Sequence, residues 1–297
     1  MQKIVPHLWY DKEAKEAALF YISIFEQSKL VYTKVIKNPP PFGDAEIVSF
    51  ELAGQQFIAI SAGPYFKLNP TISLMVACST SEEVDKIWGK LSEGGTELMA
   101  LGEYPFSKRY GWVQDRYGLS WQLMLVEGGQ EVQKITPSLL FSDGVCGKAE
   151  EAIKYYAEVF ENSEIGKISR YGEGEAASPK AKVNYAAFKL DGSAFSAMDN
   201  GYDVDYTFNE AFSLIINCKD QKEIDYFWEK LSAVSEAESC GWCKDQFGVS
   251  WQVLPSNWEE ILFVGSEEQV QRGNKAILEM KKIDLEVLER VRLGVSD

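Results

Sequence analysis

Residues 4–10 alternate with the two-residue period of a strand, and then the period lengthens. Ala14, Ala17, Ala18, Tyr21, Ile24 and Phe25 recur at three- and four-residue spacings, the stripe of an amphipathic helix. Strand-like segments follow at 30–37, 46–53 and 56–61, the last two joined by a turn at Ala53-Gly54. The first sixty residues therefore read βαβββ. The next sixty repeat the order: a strand at 71–78, a helix opening at Thr80-Ser81-Glu82-Glu83 with capping-box spacing, and strands near 96–100, 110–115 and 119–126.

The whole of that pattern then recurs. Gly111-Trp112, Asp115, Gly118 and Ser120-Trp121-Gln122 are answered, 130 residues on, by Gly241-Trp242, Asp245, Gly248 and Ser250-Trp251-Gln252. The block around Trp88 returns around Trp228, the helical stripe around Phe25 returns around Phe160, and Asp220 to Glu223 opens the corresponding helix. Three blocks in one order define a tandem duplication, residues 1–128 and 134–255, with Gly128 to Gln133 as the linker. Residues 256–297 have no counterpart in the first copy. Ser266 to Gln269 opens a helix running through Met280, and Asp284 to Arg292 reads as another. This tail is expected to cover an edge or a subunit contact.

Charge and composition narrow the function. Forty-five acids against thirty lysines and arginines give a net charge of -15, which argues against nucleic acid or an anionic membrane surface as partner. A single histidine, His7, excludes any two-histidine metal site within one chain. No apolar run reaches membrane-spanning length and no signal peptide is visible. Five cysteines, an odd count in a well-cored chain, point to a reduced cytoplasmic protein.

Paired βαβββ units, with Gly54-Gln55-Gln56-Phe57, Gly63 to Asn69, Thr71 to Leu74 and both Gly-Trp…Asp…Gly…Ser-Trp-Gln blocks, resemble the vicinal oxygen chelate (glyoxalase/bleomycin-resistance) superfamily. More narrowly, they resemble its PhnB-like branch, labelled "3-demethylubiquinone-9 3-methyltransferase". The resemblance implies an α+β fold of tandem glyoxalase-like domains. Each would have two βαβββ modules forming a half-open curved barrel, with C-terminal helices added. It also implies a metal held from four strands, the last ligand being a Glu where this chain has Gln122 and Gln252. The fifth-strand position carries Thr71 and Ala211. The first-strand position carries Pro6 and Pro137, or, one residue on, His7 and Ser138, and the fourth falls near Ala59 and Ala197. The expectation is no metal and no cofactor.

Strand alternation puts Gln122 on the concave side and Trp121 beneath the helices. Asn69, Thr71, Ser73, Trp112, Gln122, Asn209, Ser213, Trp242 and Gln252 are the candidate ligand-binding residues, types suited to a neutral hydrogen-bonding pocket with aromatic walls. Asp199 and Cys240 are the candidate catalytic residues, Asp199 as a general base, although Asp199-Asn200-Gly201 equally suits a plain turn. Cys240-Gly-Trp-Cys243 lies on an expected strand, where i and i+3 face opposite sides, which disfavours redox or zinc chemistry. Trp88 and Trp121 read as core. Gly172 to Ala176 could pass for a nucleotide-binding turn, but Pro179 stands where its helix should run, so it reads as a surface loop, flanking the pocket mouth with its counterpart Asn38 to Gly43. The expected function is binding of a small organic molecule, with a homodimer left open. The alternatives are a metal-independent isomerase or lyase, and a non-catalytic scaffold or sequestering protein. No unit for a methyltransferase cofactor is visible.

Overall fold

The computed structural model describes residues 2–37, 43–126, 133–202 and 204–295. Most of the linker at 128–133 and most of the loop at 38–43 lie outside them. The first copy contains β1 (Ile4–Tyr10), α1 (Ala14–Ile22), β2 (Lys29–Ile36), β3 (Ala45–Leu52) and β4 (Gln55–Ser61). It continues with β5 (Ile72–Cys78), α2 (Ser81–Leu91), β6 (Thr96–Tyr104), β7 (Ser107–Gln114) and β8 (Ser120–Leu125). The second copy runs through β9 (Ile135–Phe141), α3 (Ala149–Val159), β10 (Glu164–Arg170), β11 (Val183–Leu190) and β12 (Ser193–Asp199). It ends with β13 (Phe212–Cys218), α4 (Gln221–Leu231), β14 (Trp242–Lys244) and β15 (Ser250–Pro255). The tail forms α5 (Trp258–Phe263), α6 (Glu267–Glu279) and α7 (Leu285–Leu293). No helix among the described residues is long and apolar enough to cross a membrane.

Local chemistry explains the boundaries. Thr80 and Asp220 accept the backbone N–H of Glu83 and Glu223, capping α2 and α4, and Ser266 with Gln269 closes a full capping box on α6. The β3–β4 hairpin turns through Ala53 (φ 48°) and Gly54 (φ 78°), and β11–β12 turns through Asp191 and Gly192 at nearly the same angles.

Two open sheets result. Sheet A has the order β14-β15-β13-β1-β4-β3-β2 and sheet B the order β10-β11-β12-β9-β5-β8-β7-β6. Each joins one module from each copy, β1 pairing with β13 and β5 with β9; all are βαβββ except the last, which lacks one strand. The expectation that both modules of a copy share a barrel is corrected on this point. The helices supply the reason, because the modules of one copy bury their helix-side faces together and so leave their strands in different sheets. Trp121 of sheet B, fully buried, packs on Tyr21 and Phe25 of the α1 region at 5.2 and 5.4 Å. Trp251 meets Tyr156 and Phe160 in the same way at 5.5 Å.

The repeated Asp…Gly…Trp block fixes this core. Asp115 accepts from Trp121 Nε1 (2.8 Å) and from the amides of Tyr117 and Leu119. Asp245 does the same for Trp251, Phe247 and Val249, and also accepts from the Tyr156 hydroxyl. Gly118 and Gly248, at φ near +88°, close both turns in a conformation that favours glycine.

The copies differ at one edge. Where the first has the nine-residue β6, residues 235–237 of the second form a single helical turn, and β14 is only three residues long. The tail covers that edge: the N–H groups of Cys240 and Gly241 donate to the carbonyls of Met280 and Lys281, both at 2.7 Å.

Candidate functional site

The helices α1–α4 cover one face of each sheet, and the opposite inner face carries most of the expected ligand-binding residues. On sheet B, Ser138 of β9 stands opposite Ser73 of β5 on one side and Ser196 of β12 on the other, so the three hydroxyl-bearing side chains share a face. Gln122 Nε2 donates to Ser73 Oγ at 2.7 Å, and the Tyr110 hydroxyl donates to Gln122 Oε1 at 2.7 Å. Burial raises the Tyr110 pKa, which keeps it a donor. Trp112, across the ladder from Gln122, donates through Nε1 to Ser120 Oγ at 2.7 Å. The hydroxyls of Ser138 and Ser196 are buried with no hydrogen-bond partner. Half-buried Thr136, Met124 and Met198 continue this surface two residues along their strands.

Sheet A repeats the arrangement with different neighbours. Gln252 Nε2 donates to Ser213 Oγ at 3.0 Å, and that hydroxyl lies 3.2 Å from His7 Nδ1. His7 occupies the place of Ser138, which settles the first-strand register on His7 and Ser138 rather than on the prolines. Burial lowers the His7 pKa to about 3, so the ring is a neutral imidazole at physiological pH. Trp242 stands edge-on to it at 5.4 Å, and Trp9 and Phe66 extend the aromatic wall. The rest of this face is closed: Trp258 and Leu262 of α5 pack on Val5, Ile47, Ile58 and Ile215.

The structure thus brings Ser73, Gln122 and Trp112 together on one sheet and Ser213, Gln252 and Trp242 on the other. The remaining candidates lie elsewhere. Asn69 Oδ1 accepts from the Thr71 amide and hydroxyl, while its Nδ2 reaches across to the Thr207 carbonyl at 3.0 Å. Asn209 mirrors it, capping Ala211 and donating to the Lys67 carbonyl at 3.0 Å. The two asparagines form a reciprocal clamp between the copies, and Thr71 belongs to that clamp.

Asp199 ends β12 fully buried, one oxygen accepting from the amides of Gly147 and Ala149 and the other from those of Lys182 and Val183. Four backbone donors occupy the carboxylate and pin three segments together. Neither oxygen is free to take a proton from a ligand. Cys240 sits in a turn at φ 53° beneath the tail, with burial raising its pKa, an environment opposite to that of a reactive thiolate. The Gly172–Glu175 turn is exposed and closed by the Glu175 carboxylate accepting from the Gly172 amide; no helix follows it.

Ser196 and Tyr110 were not among the sequence candidates, although a signal existed. Tyr110 lies two residues from Trp112 on the same strand face, and Ser138 is the repeat counterpart of His7. On the fourth strand, the residues opposite His7 and Ser138 are Ile58 and Ser196, one position before Ala59 and Ala197.

These donors do not fit a divalent metal. Sheet A offers one imidazole, one hydroxyl and one amide at the four strand positions, and sheet B offers hydroxyls and an amide. Neither set contains a carboxylate or thiolate to balance the ion's charge. Among the described residues, no three His, Cys, Asp or Glu side chains are grouped as a metal site.

Two open sheets built from paired modules, with polar groups on their inner strands, have the glyoxalase-like fold. The chain belongs to the 3-demethylubiquinone-9 3-methyltransferase (PhnB-like) family, whose model matches residues 2–124 and again residues 133–254. The PhnB protein of Bacillus cereus is 42% identical over 42% of this chain and all of its own, with a TM-score of 0.40. Glyoxalase I of Zea mays, 12% identical, matches 76% of this chain and 80% of its own at a TM-score of 0.50, a likeness of fold alone. The fosfomycin resistance protein FosX of Listeria monocytogenes is 16% identical over 40% of this chain and 88% of its own, at 0.31. No curated protein matches the sequence.

Proposed function

We propose that the inner face of sheet B binds a small, largely neutral organic molecule without a metal. The observation that carries this reading is the pair of buried, unpartnered hydroxyls of Ser138 and Ser196 beside the Tyr110–Gln122–Ser73 chain. A buried hydroxyl without a partner costs about 1–3 kcal/mol, and a ligand carbonyl or hydroxyl on this face would recover part of it. Ser73, Gln122 and Trp112, with Ser138 and Ser196, give hydrogen-bonding specificity, while Met124 and Met198 supply an adaptable apolar wall. The net charge of -15 favours ligands that are not anionic.

The family label supports no methyl transfer here, since the only glycine-rich turn considered for a nucleotide opens no helix. A metal-independent isomerase or lyase using Asp199 as base is disfavoured by the four amides that occupy its carboxylate. Free cysteines throughout the described residues fit the cytoplasm as the working compartment.

The test is native mass spectrometry of freshly purified protein with elemental analysis, followed by a thermal-shift screen of neutral metabolite-sized compounds. One organic equivalent per chain, or a hit whose shift is lost in Gln122→Leu and kept in Gln252→Leu, is the expected result. A stoichiometric metal, or ligands indifferent to Gln122→Leu, would overturn the reading.

A further inference from the structure

A cleft of about 670 Å³ opens where α3 ends and α4 begins, beside the N-terminal residues Gln2 and Lys3. Its lining includes none of the inner-face residues described above. Val159, Phe160, Tyr226 and Phe227 give it an apolar floor, and Asn217 contributes a buried acceptor. Asn217 is 8% exposed; its Nδ2 donates to the Gln2 carbonyl at 2.8 Å, which fixes the amide, and its Oδ1 has no partner.

The lining charges are unevenly committed. Lys3 Nζ donates to Glu223 (2.6 Å) and to the Asn217 carbonyl, lying 5.0 Å over the Phe227 ring. Lys219 shares the same glutamate at 3.5 Å. The carboxylates of Glu161 and Asp191 have no ion pair or hydrogen bond among the described residues, and of the three lysines only Lys222 lacks an ion pair. The unused groups are therefore mainly acceptors in a cleft that aromatic rings also line, and Lys3 shows that such a ring accepts an ammonium here.

The duplication supplies a control. At the equivalent places in the first copy stand Ala77 for Asn217, Ala53 for Asp191, Lys86 for Tyr226 and Ile87 for Phe227. The fold needs none of the cleft-forming side chains at these positions, yet the second copy has acquired an acceptor, a carboxylate and two aromatic rings together.

We propose that this cleft is a second binding site, for a small organic amine with an aromatic or similarly flat apolar body. The amine N–H groups donate to Asn217 Oδ1 and the carboxylates of Glu161 and Asp191, and the apolar body lies against Phe160, Tyr226 and Phe227. The site is independent of the inner face of sheet B.

The experiment titrates the full chain with 2-phenylethylamine by calorimetry and by ligand-observed NMR, against 3-phenylpropionate, which presents a similar body with the opposite charge. The amine is expected to bind and the carboxylate to bind at least about tenfold more weakly. Asn217→Ala, which installs the first copy's residue and whose folding is checked by thermal unfolding, should weaken the amine about tenfold. Glu161→Gln should weaken it about threefold, and Gln122→Leu should leave it unchanged. Failure of the amine to bind at about 10 mM, equal or tighter binding of 3-phenylpropionate, or indifference to Asn217→Ala would overturn the proposal.

Discussion

Gln122 and Gln252 make the same hydrogen bond, to Ser73 and Ser213, on two sheets assembled from the same modules, yet their surroundings have diverged. On sheet A the hydroxyl also meets His7, aromatic rings wall the histidine, and α5 closes the apolar half of the face. On sheet B the counterpart of His7 is a serine without a partner. Duplication kept the frame and let the two inner faces diverge: both carry buried hydroxyls without a partner, Ser49 and Ser250 on sheet A and Ser138 and Ser196 on sheet B, but sheet A adds an imidazole to its serine–glutamine bond and closes its apolar half with a tail helix. Unmet capacity is costly for a fold and useful for a binding site.

The sharpest way to break this contrast is to remove the plug. Trp258, 7% exposed, is the largest side chain that α5 places on sheet A, and Trp258→Ala should cost about 3–5 kcal/mol in urea unfolding. Met198→Ala on the half-buried face of sheet B should cost about 1–2 kcal/mol, because a partly exposed methionine leaves little cavity behind. A Trp258→Ala variant that loses under about 1 kcal/mol would mean that sheet A is closed by something other than α5.

His7 provides the next test. Its folded pKa of about 3 lies below the value of about 6.5 expected for the unfolded chain, so the unfolded state binds the proton first as pH falls. The stabilisation is therefore complete above pH 6.5 and is lost as pH falls from there toward 3, at up to about 1.4 kcal/mol per unit. As the sole histidine, His7 contributes to this dependence between about pH 6.5 and 5, alongside the Asp115 and Asp245 carboxyls, whose pKa burial raises. His7→Ser, which installs the residue found at 138, should flatten the curve of unfolding free energy over that interval. An unchanged slope would show that the proton is taken up elsewhere.

Much of this molecule was legible because its information is local. Alternation at 4–10, the stripe from Ala14 to Phe25 and the caps at Thr80, Asp220 and Ser266 each act within a few residues, and the observed elements follow them closely. The repeat made Gln122 and Gln252 equivalent before any geometry was known. Periodicity could not show which modules share a sheet, because the pairing of Ile4 with Ile216 joins residues far apart in the chain. Nor could it show α5, whose six residues are too few to display a stripe. Asp199 was misleading for a related reason: a carboxylate that organises four backbone amides has the same sequence appearance as one that moves a proton.

The smallest expected effect concerns a place where the copies have not diverged. Asn69 and Asn209 each cap the strand that follows and each reach a carbonyl on the other copy's loop at 3.0 Å. Because both cross-copy bonds are exposed and only the strand caps are part-buried, Asn69→Ala and Asn209→Ala should each cost about 1 kcal/mol, with Asn69→Ala the larger since Asn69 also accepts the Thr71 hydroxyl. The two bonds hold the same pair of loops, Lys67 to Asn69 against Thr207 to Asn209, so losing one loosens the geometry that the other requires. The double variant should then cost less than the sum, by about 0.5 kcal/mol or more in a double-mutant cycle. Strict additivity would mean that each asparagine only caps its own strand, and that the copies are held together by the sheets alone.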